Sequence, residues 1–538
     1  MDRQLVSRML GKLLYYFSAA LTVPLVTALT VDNDNIYLFV VSLLLSLGIA
    51  AVLTVYGCST VEQRKQALRA WQESWSGFLL LVRIRKPEYF YQIFFLLHNV
   101  WRKMRILFIS DRPKQRLRIR EAIVIVGCGW LLVCFMGAIP YFFYGTLDPI
   151  AAIFESVSGF TTTGVTTAAS FNEFPDSILV WRCMTHWFGG IGVIMIFITI
   201  MPQVNSGTGY LFNAELPGGM GERTLPTIKE SASVIMRIYI SFTVLEIILL
   251  CLGKVDFYQA VNLALATSAT GGFSYYHDSL VSFDSVYVEA VAIIFMIIAS
   301  INFSVYYRIW NREWKSFREN TTEIKYYLSI LALATILIAA NLYLSKTMDP
   351  VSSLRHAFFQ SVSIGSTTGF ASQDYNAWPS FSRNILFLLM FVGGCSGSSA
   401  GGLKVIRLVI LFKAAWAELL RILHPNVIYS VKMGKKVIEA SIVGNITRFF
   451  FIYITVFMVL TILISLEGLS IMESMGTIAS CMSSVGPSFG IVGPTSTFSS
   501  LSQYARVICI LAMLLGRLEI FTLLSLFDRN IWSNKHNW

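Results

Sequence analysis

Charge is scarce in this chain: 14% of its 538 residues are Asp, Glu, Lys or Arg, against 55% that are hydrophobic. The mean hydropathy of +0.63 excludes an ordinary soluble domain. Cysteine supplies no framework. The eight cysteines, at 58, 128, 134, 183, 251, 395, 481 and 509, are scattered, mostly through apolar runs, and form no CxxC. They read as small buried hydrophobes rather than disulfides or metal ligands. The six histidines make no HExxH, and neither GxxxxGK nor GxGxxG occurs. The chain therefore has no recognisable hydrolytic or nucleotide site. It is not read as an enzyme, and no organic cofactor is expected on it.

Long apolar runs are what it has instead. A bilayer core takes roughly 20 apolar residues per helix, and ten stretches qualify. A first pair covers 13–31 and 36–57. Four more pairs follow: 121–144 with 178–201, 232–253 with 285–306, 326–345 with 383–412, and 446–466 with 503–527. Arg3, Arg8 and Lys12 before the first run suit a signal peptide. A second span follows at once, however, and no convincing cleavage site appears, so the first is read as an uncleaved helix.

The net charge of +11 would suit nucleic acid in a soluble protein, but its distribution points to a membrane. Residues 60–120, 308–325 and 404–436 are strongly basic, whereas 31–35, 145–180 and 467–502 contain no Lys or Arg. The positive-inside rule then places both termini in the cytoplasm and the intervening loops outside. Nucleic acid is not an expected partner.

The stretch between each of the four later pairs carries a recurring phrase, in which an apolar run ends in hydroxyl residues, then a glycine. The glycines aligned on this basis are Gly164 in Thr161-Thr-Thr-Gly-Val165, Gly271 in Ser268-Ala-Thr-Gly-Gly272, Gly369 in Ser366-Thr-Thr-Gly-Phe370 and Gly486 in Ser483-Ser-Val-Gly-Pro487. Their spacings of 107, 98 and 117 residues exceed the 20–50 residues of ordinary solenoid repeats. They suit two spans with a re-entrant helix and loop between them. Asp148-Pro149 marks the start of the first such helix, which is expected to end near Thr161; Asp256, Asp349 and Glu467 or Glu473 open the others. A half-helix ending in mid-bilayer aims its negative dipole end at the centre, which favours a cation. Glycine at the turn lets successive carbonyls face a passing ion.

Three further segments stand out. In 58–120, the run Tyr89–Phe108 combines basic and aromatic residues at helical spacing. It reads either as a helix lying in the inner interface or as one packed on its own membrane domain. Gly393-Gly-Cys-Ser-Gly-Ser-Ser-Ala-Gly-Gly402 interrupts an apolar span. Non-helical backbone at that depth is tolerated inside protein or along a wet cavity, so a polar plug is expected; a kink with packing glycines is the plainer alternative. Arg517 lies in the last apolar run, where a basic residue costs roughly 2.5–3.5 kcal/mol, so it is expected to face a pathway or a carboxylate. Glu519, two positions along a helix, is not its expected partner.

These motifs resemble the TrkH/KtrB branch of the potassium transporter superfamily over about 121–527. The resemblance rests on Ser158-Gly-Phe-Thr-Thr-Thr-Gly164, His186-Trp-Phe-Gly-Gly-Ile-Gly-Val193, Thr270-Gly-Gly-Phe-Ser274, the 393–402 run with Lys404 and Arg407, and Gly516-Arg-Leu-Glu519. It implies an all-α polytopic membrane protein with four span–pore helix–span repeats around one ion pore, plus an N-terminal pair. The corresponding segments are 1–57 (the N-terminal pair), 58–120 (a basic cytosolic or interfacial insertion), and the pore repeats 121–202, 203–307 and 308–413. Residues 414–538 supply a cytosolic hairpin, the fourth repeat and the tail.

By resemblance, K⁺ is the transported ion. Its filter is formed by Thr162, Thr163 and Gly164, Ala269, Thr270 and Gly271, Thr367, Thr368 and Gly369, and Ser484, Val485 and Gly486. The gate comprises Gly393, Gly394, Ser396, Gly397, Ser398, Ser399, Gly401 and Gly402 with Arg517. Glycine at 164, rather than serine, implies K⁺ over Na⁺; Ser399 stands where threonine is usual, and the 58–115 insertion is atypical. The resemblance further implies a homodimer in the bacterial cytoplasmic (inner) membrane. A cytosolic nucleotide-binding regulatory subunit of RCK/KTN type is expected to dock on loops such as 203–230, 308–325 and 413–445. The expected function is channel-like K⁺ uptake. A symporter coupled to H⁺ or Na⁺ is the alternative, although it ordinarily needs an ionisable couple at the midplane.

Overall fold

The computed structural model describes residues 1–32, 35–58, 64–65, 118–171, 174–192, 228–314, 321–424, 429–434 and 436–532. The expected interfacial segment at 89–108 lies outside them. Six helices among the described residues are long and apolar enough to cross a membrane: Arg3–Thr30, Ile36–Tyr56, Ile119–Tyr144, Glu230–Leu252, Thr322–Leu344 and Ala440–Glu467. Two bent pairs bring the number to eight. The protein is thus a helical, multi-pass membrane protein. Side chains such as Leu252, Leu344, Phe412, Trp416 and Ile462 are exposed in number, which suits a surrounding lipid solvent rather than water.

The N-terminal pair packs on the rest through specific contacts. Gly11 lets its two helices approach, because a methyl there would run into Thr54 and Ala50. Pro24 accounts for the break at Leu21, since a proline ring clashes with the carbonyl four residues earlier. Phe17 meets Trp181 and Phe160 at ring distances of 6.0 Å, and Asp32 accepts a bond from the Ser177 amide at 2.7 Å.

After this pair, one order of elements recurs four times: a long helix, a short helix, a loop and a second apolar helix. The short helices are Pro149–Phe160, Phe257–Ser268, Pro350–Gly365 and Ile471–Ser483. At 1.5 Å per residue, 12 to 16 residues cannot cross a ~30 Å core. Each starts on a side-chain cap. Asp148, Asp256 and Asp349 accept from the amides of Ala151, Tyr258 and Ser352 at 2.6, 3.0 and 3.1 Å. The fourth departs from expectation: Ser470 is the cap, in a capping box with Glu473. Glu467 instead accepts from the amide and hydroxyl of Ser502 at 2.8 and 2.6 Å. Hydroxyl donation from Ser352 and Ser470 holds the carboxyls of Asp349 and Glu473 below their usual range. Both are therefore anionic at neutral pH, at the positive end of their helix dipoles.

The second helices differ most from the sequence reading. The glycine break was expected only in 383–412, and there Ser380–Val392 does stop before Val405–Leu423. The run at 285–306 is not one span, because Val286–Ser300 and Phe303–Trp310 meet at 94°. Asn302 caps the new helix by accepting from Ser304 N at 2.9 Å, and Phe303 N donates to Gly397 O. Likewise 503–527 bends by 112° between Gln503–Arg517 and Glu519–Ser525. Asp176–Ile191 ends at Gly192, whose φ is +86°; residues 193–201 lie outside the described set. Near 430, Lys432–Met433 pairs antiparallel with Lys436–Val437.

Candidate functional site

Each short helix ends in the same unusual backbone. The residues that follow, Thr162, Thr270, Thr367 and Ser484, all take left-handed conformations, with φ of 55°, 52°, 60° and 55°. Such φ is rare for a β-branched residue and persists only where the surroundings over-determine it. Here the next amide reaches back into the helix: Thr163 N to Ser158 O at 2.9 Å, Gly271 N to Ala266 O at 2.9 Å, Thr368 N to Ser363 O at 2.9 Å and Val485 N to Ser480 O at 3.0 Å.

Two residues after each of these comes a glycine with positive φ: Gly164 (81°), Gly272 (79°), Gly369 (84°) and Gly486 (102°). The equivalent segments are therefore Thr162-Thr163-Gly164, Thr270-Gly271-Gly272, Thr367-Thr368-Gly369 and Ser484-Val485-Gly486. The second was expected as Ala269-Thr270-Gly271, one residue too early. Ala269 is the helix C-cap at φ −81°, and a methyl on Gly271 would meet the His186 ring instead of a neighbouring loop.

The four segments close on one another in order. A methyl on Gly164 would collide with the Gly271 carbonyl, one on Gly272 with the Thr368 carbonyl, and one on Gly369 with the Val485 carbonyl. One on Gly486 would approach the Thr163 carbonyl at 2.8 Å. Each glycine thus abuts the carbonyl before the next glycine, and the fourth returns to the first. Hydroxyls brace the ring from behind. Ser158 donates to Val165 O at 2.5 Å and Ser363 to Phe370 O at 2.6 Å, while Ser480 bonds Gly486 O. The pairs Thr161–Thr163 and Ser366–Thr368 share hydroxyl bonds of 2.8 Å. A cavity of about 60 Å³ touches Gly164, Gly272, Gly369, Pro487, Arg182 and Phe273.

The 393–402 run lies against the other end of this ring. Gly401 N donates to Thr367 Oγ1 at 2.7 Å, and a methyl on Gly401 would meet Ser483 O and the Ser484 side chain. Ser399 Oγ donates to Ala299 O at 3.0 Å and Ser268 O at 3.2 Å. Gly397 packs on Asn302 and Gly394 on Ala400, while Gly393 and Gly402 approach each other closely at φ 67° and 74°. Ser398 Oγ donates to Cys395 O at 2.6 Å, and Ser396 N to Glu323 Oε1 at 2.7 Å.

Arg517 supplies the remaining link. Its guanidinium donates to Ser399 O at 3.1 Å, Thr162 Oγ1 at 3.3 Å, Gly190 O at 3.1 Å and Gly189 O. The Glu519 carboxylate takes Arg407, 2.6 Å away, and Arg407 lies over the Phe449 ring.

Sequence reasoning missed several buried ionisable groups. Glu155 and Arg182 form a 2.7 Å pair at 0% and 1% exposure. Glu246 is fully buried in the wall behind Ser268, which donates to it at 3.3 Å, and Lys404 is buried with its ammonium on Ala400 O. The lone acid within the 232–253 run was the available signal for Glu246. No group of three or more His, Cys, Asp or Glu side chains able to hold a metal occurs among the described residues.

A family model described as TrkH, cation transport protein, matches residues 99–536. The Trk system potassium uptake protein TrkH of Escherichia coli K12 is 34% identical over 431 residues, covering 79% of this chain and 88% of that protein. The protein of the same name from Halomonas elongata is 31% identical over 431 residues, with 79% and 89% covered. In three dimensions the chain is similar to the crystal structure of the potassium transporter TrkH from Vibrio parahaemolyticus. The TM-score is 0.80 at 26% identity, over 99% of this chain and 100% of that one. A match across most of the chain, together with relatives above 30% identity, makes this chain a member of the TrkH family of cation transport proteins.

Proposed function

We propose that the chain is the channel-like, pore-forming subunit of a Trk-type system that takes up K⁺. The observation that carries this reading is the closed cycle of four glycine segments. In it, Thr162-Thr163-Gly164, Thr270-Gly271-Gly272, Thr367-Thr368-Gly369 and Ser484-Val485-Gly486 line one filter, around which the four repeats are arranged. Carbonyls of the four segments replace the hydration shell of K⁺, and four short helices point their negative dipole ends at it. The anionic carboxylates of Asp349 and Glu473, at the N-terminal ends of the third and fourth short helices, add negative potential on the side taken as external and favour cations there. Below the filter, the 393–402 loop and Arg517 form the gate.

Both termini are read as cytoplasmic and the membrane as a bacterial inner membrane. A homodimer and a cytosolic nucleotide-binding regulator complete the assembly, the latter docking near 308–325 and 413–445 with 203–230. Cysteines introduced at Asp278 and Asn311 test this topology. Asp278 is expected to react with an impermeant thiol reagent from outside and Asn311 from inside; the opposite labelling overturns the arrangement.

The function itself is tested by tracer flux into liposomes holding the purified chain, with K⁺ and Na⁺ gradients imposed in turn. Voltage-driven K⁺ entry with little Na⁺ is expected. Gly164→Ser is expected to lower the K⁺/Na⁺ ratio by about tenfold, the equivalent of ~1.4 kcal/mol. Its side chain would press on the Gly271 carbonyl from a left-handed backbone. An unchanged ratio at normal rate would remove Gly164 from the filter. The symporter reading is favoured by one feature, the buried Glu246, whose Oε1 has no hydrogen-bond partner among the described residues. Proton flux in fixed ratio to K⁺ in the same liposomes would select it.

A further inference from the structure

We infer that Glu155 and Arg182 form a buried ion pair that positions the outer ends of the first two glycine loops, and so set the discrimination between K⁺ and Na⁺. The inference rests on the ion-path reading above and assigns a role to residues that touch no ion themselves.

Glu155 is on the first short helix, one helical turn before Gly159, with no exposed surface. Its carboxylate oxygens are fully engaged. Oε1 accepts from Arg182 Nε at 2.7 Å and from Thr166 Oγ1 at 3.0 Å; Oε2 accepts from Thr166 Oγ1 at 3.1 Å and Thr167 N at 3.2 Å. Thr166 and Thr167 are the residues by which the chain leaves Gly164. The carboxylate thus fixes the exit of the first loop, and Thr166 O in turn accepts from Phe498 N at 2.8 Å.

Arg182 carries the restraint to the second loop. Its guanidinium carbon sits 4.3 Å from the Phe171 ring centre and 4.1 Å from that of Phe273, the residue after Gly272. One helical turn on, His186 stacks on the same Phe273 ring at 3.9 Å and 12°, and accepts from Phe273 N at 3.4 Å. Arg182 Nη1 and Nη2 are buried without hydrogen-bond partners among the described residues, where aromatic faces and one carboxylate hold the charge. Removing Glu155 would leave an unpaired buried cation beside the cavity that touches Gly164, Gly272 and Gly369. A buried charge with a fixed stacking geometry tolerates little displacement, which suits a group that must keep carbonyl positions constant.

The third repeat shows what the first would be without the pair. Gln360 occupies the place of Glu155 relative to the left-handed threonine. Its amide donates to Phe370 O at 3.4 Å, with no ion-pair partner among the described residues. The charged brace is therefore specific to the junction of the first two loops, not a general requirement of the backbone.

The test uses the full-length chain in liposomes, with K⁺ and Na⁺ fluxes measured at matched protein amounts. Glu155→Gln keeps an acceptor for Thr167 N but removes the charge; it is expected to lower the K⁺/Na⁺ ratio at least tenfold. Arg182→Lys keeps the charge but loses the planar stack on Phe273, and a smaller fall is expected. Thr166→Val, which removes one hydroxyl and changes no charge, guards against a variant that fails to insert; its ratio is expected to fall about threefold. A ratio equal to that of the unaltered chain in every variant that inserts overturns the inference, as does a lower rate at constant ratio. The unaltered chain in the same vesicles is the control for the underlying reading. If it shows no K⁺ preference, that reading fails first and the variants are not needed to show it.

Discussion

Gly272→Ala is expected to abolish selective K⁺ flux, whereas Ala269→Gly leaves it close to that of the unaltered chain. At φ +79° an alanine pays roughly 1–2 kcal/mol for the left-handed backbone alone, about tenfold in an equilibrium. The collision comes on top of this. The new methyl would occupy the space of the Thr368 carbonyl oxygen, which belongs to the third loop and is itself a proposed ion ligand. That carbonyl cannot retreat freely, because the Thr368 hydroxyl is tied to Ser366 and its amide to Ser363. Two of the four loops are then displaced by one methyl group, and K⁺ flux is expected to fall by about a hundredfold or more. Ala269 has the ordinary helical φ of a C-cap, where glycine meets no steric conflict and costs only about 0.5–1 kcal/mol relative to alanine. Tracer uptake at matched protein amounts separates the two. Normal flux in Gly272→Ala with loss in Ala269→Gly would restore the earlier register, with Gly271 as the key glycine.

That register shows where the sequence was legible and where it was not. The starts of the short helices could be read because capping is local: Asp148-Pro149, Asp256 and Asp349-Pro350 carry their own instruction within one turn. Two adjacent glycines carry none about which of them takes positive φ. The choice between Gly271 and Gly272 is made by neighbours far away in the chain, the His186 ring and the Thr368 carbonyl.

The broken spans follow the same logic. Gly393 to Gly402 announced a break through its composition. The bend after Ser300 and the bend after Arg517 contain no proline, and neither junction carries a glycine run. Each is made by a long-range contact: Phe303 N to Gly397 O in one case, the four acceptors of Arg517 in the other. Glu519 illustrates the limit of helical geometry. The helix bends by 112° between it and Arg517, so spacing along one helix decides nothing there, and its carboxylate pairs with Arg407 on another repeat. Glu155 lies in the apolar run that leads to Gly164, and nothing local pairs it with Arg182 in the following span.

The largest gain of function is expected at Arg517. Its guanidinium donates to carbonyls of the first repeat's second helix and of the glycine loop, and to the Thr162 hydroxyl. It therefore joins the loop to the filter and to the neighbouring wall at once. Hydrogen bonds to a charged donor contribute about 1.5–3 kcal/mol each when a partner is removed, so losing even one shifts a closed–open balance by about tenfold or more. Arg517→Ala is accordingly expected to raise basal K⁺ flux at least tenfold in the absence of any regulatory subunit. Removal of Gly397 to Ala400 deletes Ser399, the loop's bond to Arg517, and is expected to do the same by an independent route. The two differ in one respect. The alanine variant also frees the Thr162 hydroxyl, although at 3.3 Å that bond is the longest of the four, so a slight loss of selectivity accompanies its higher flux. The deletion leaves Thr162 held and keeps the K⁺/Na⁺ ratio. Equal basal flux in the unaltered chain and both variants, at matched membrane levels, would leave the loop as packing rather than gate. A deletion that opened the path to Na⁺ would instead place the loop within the filter, and the layering of ring above gate would be wrong.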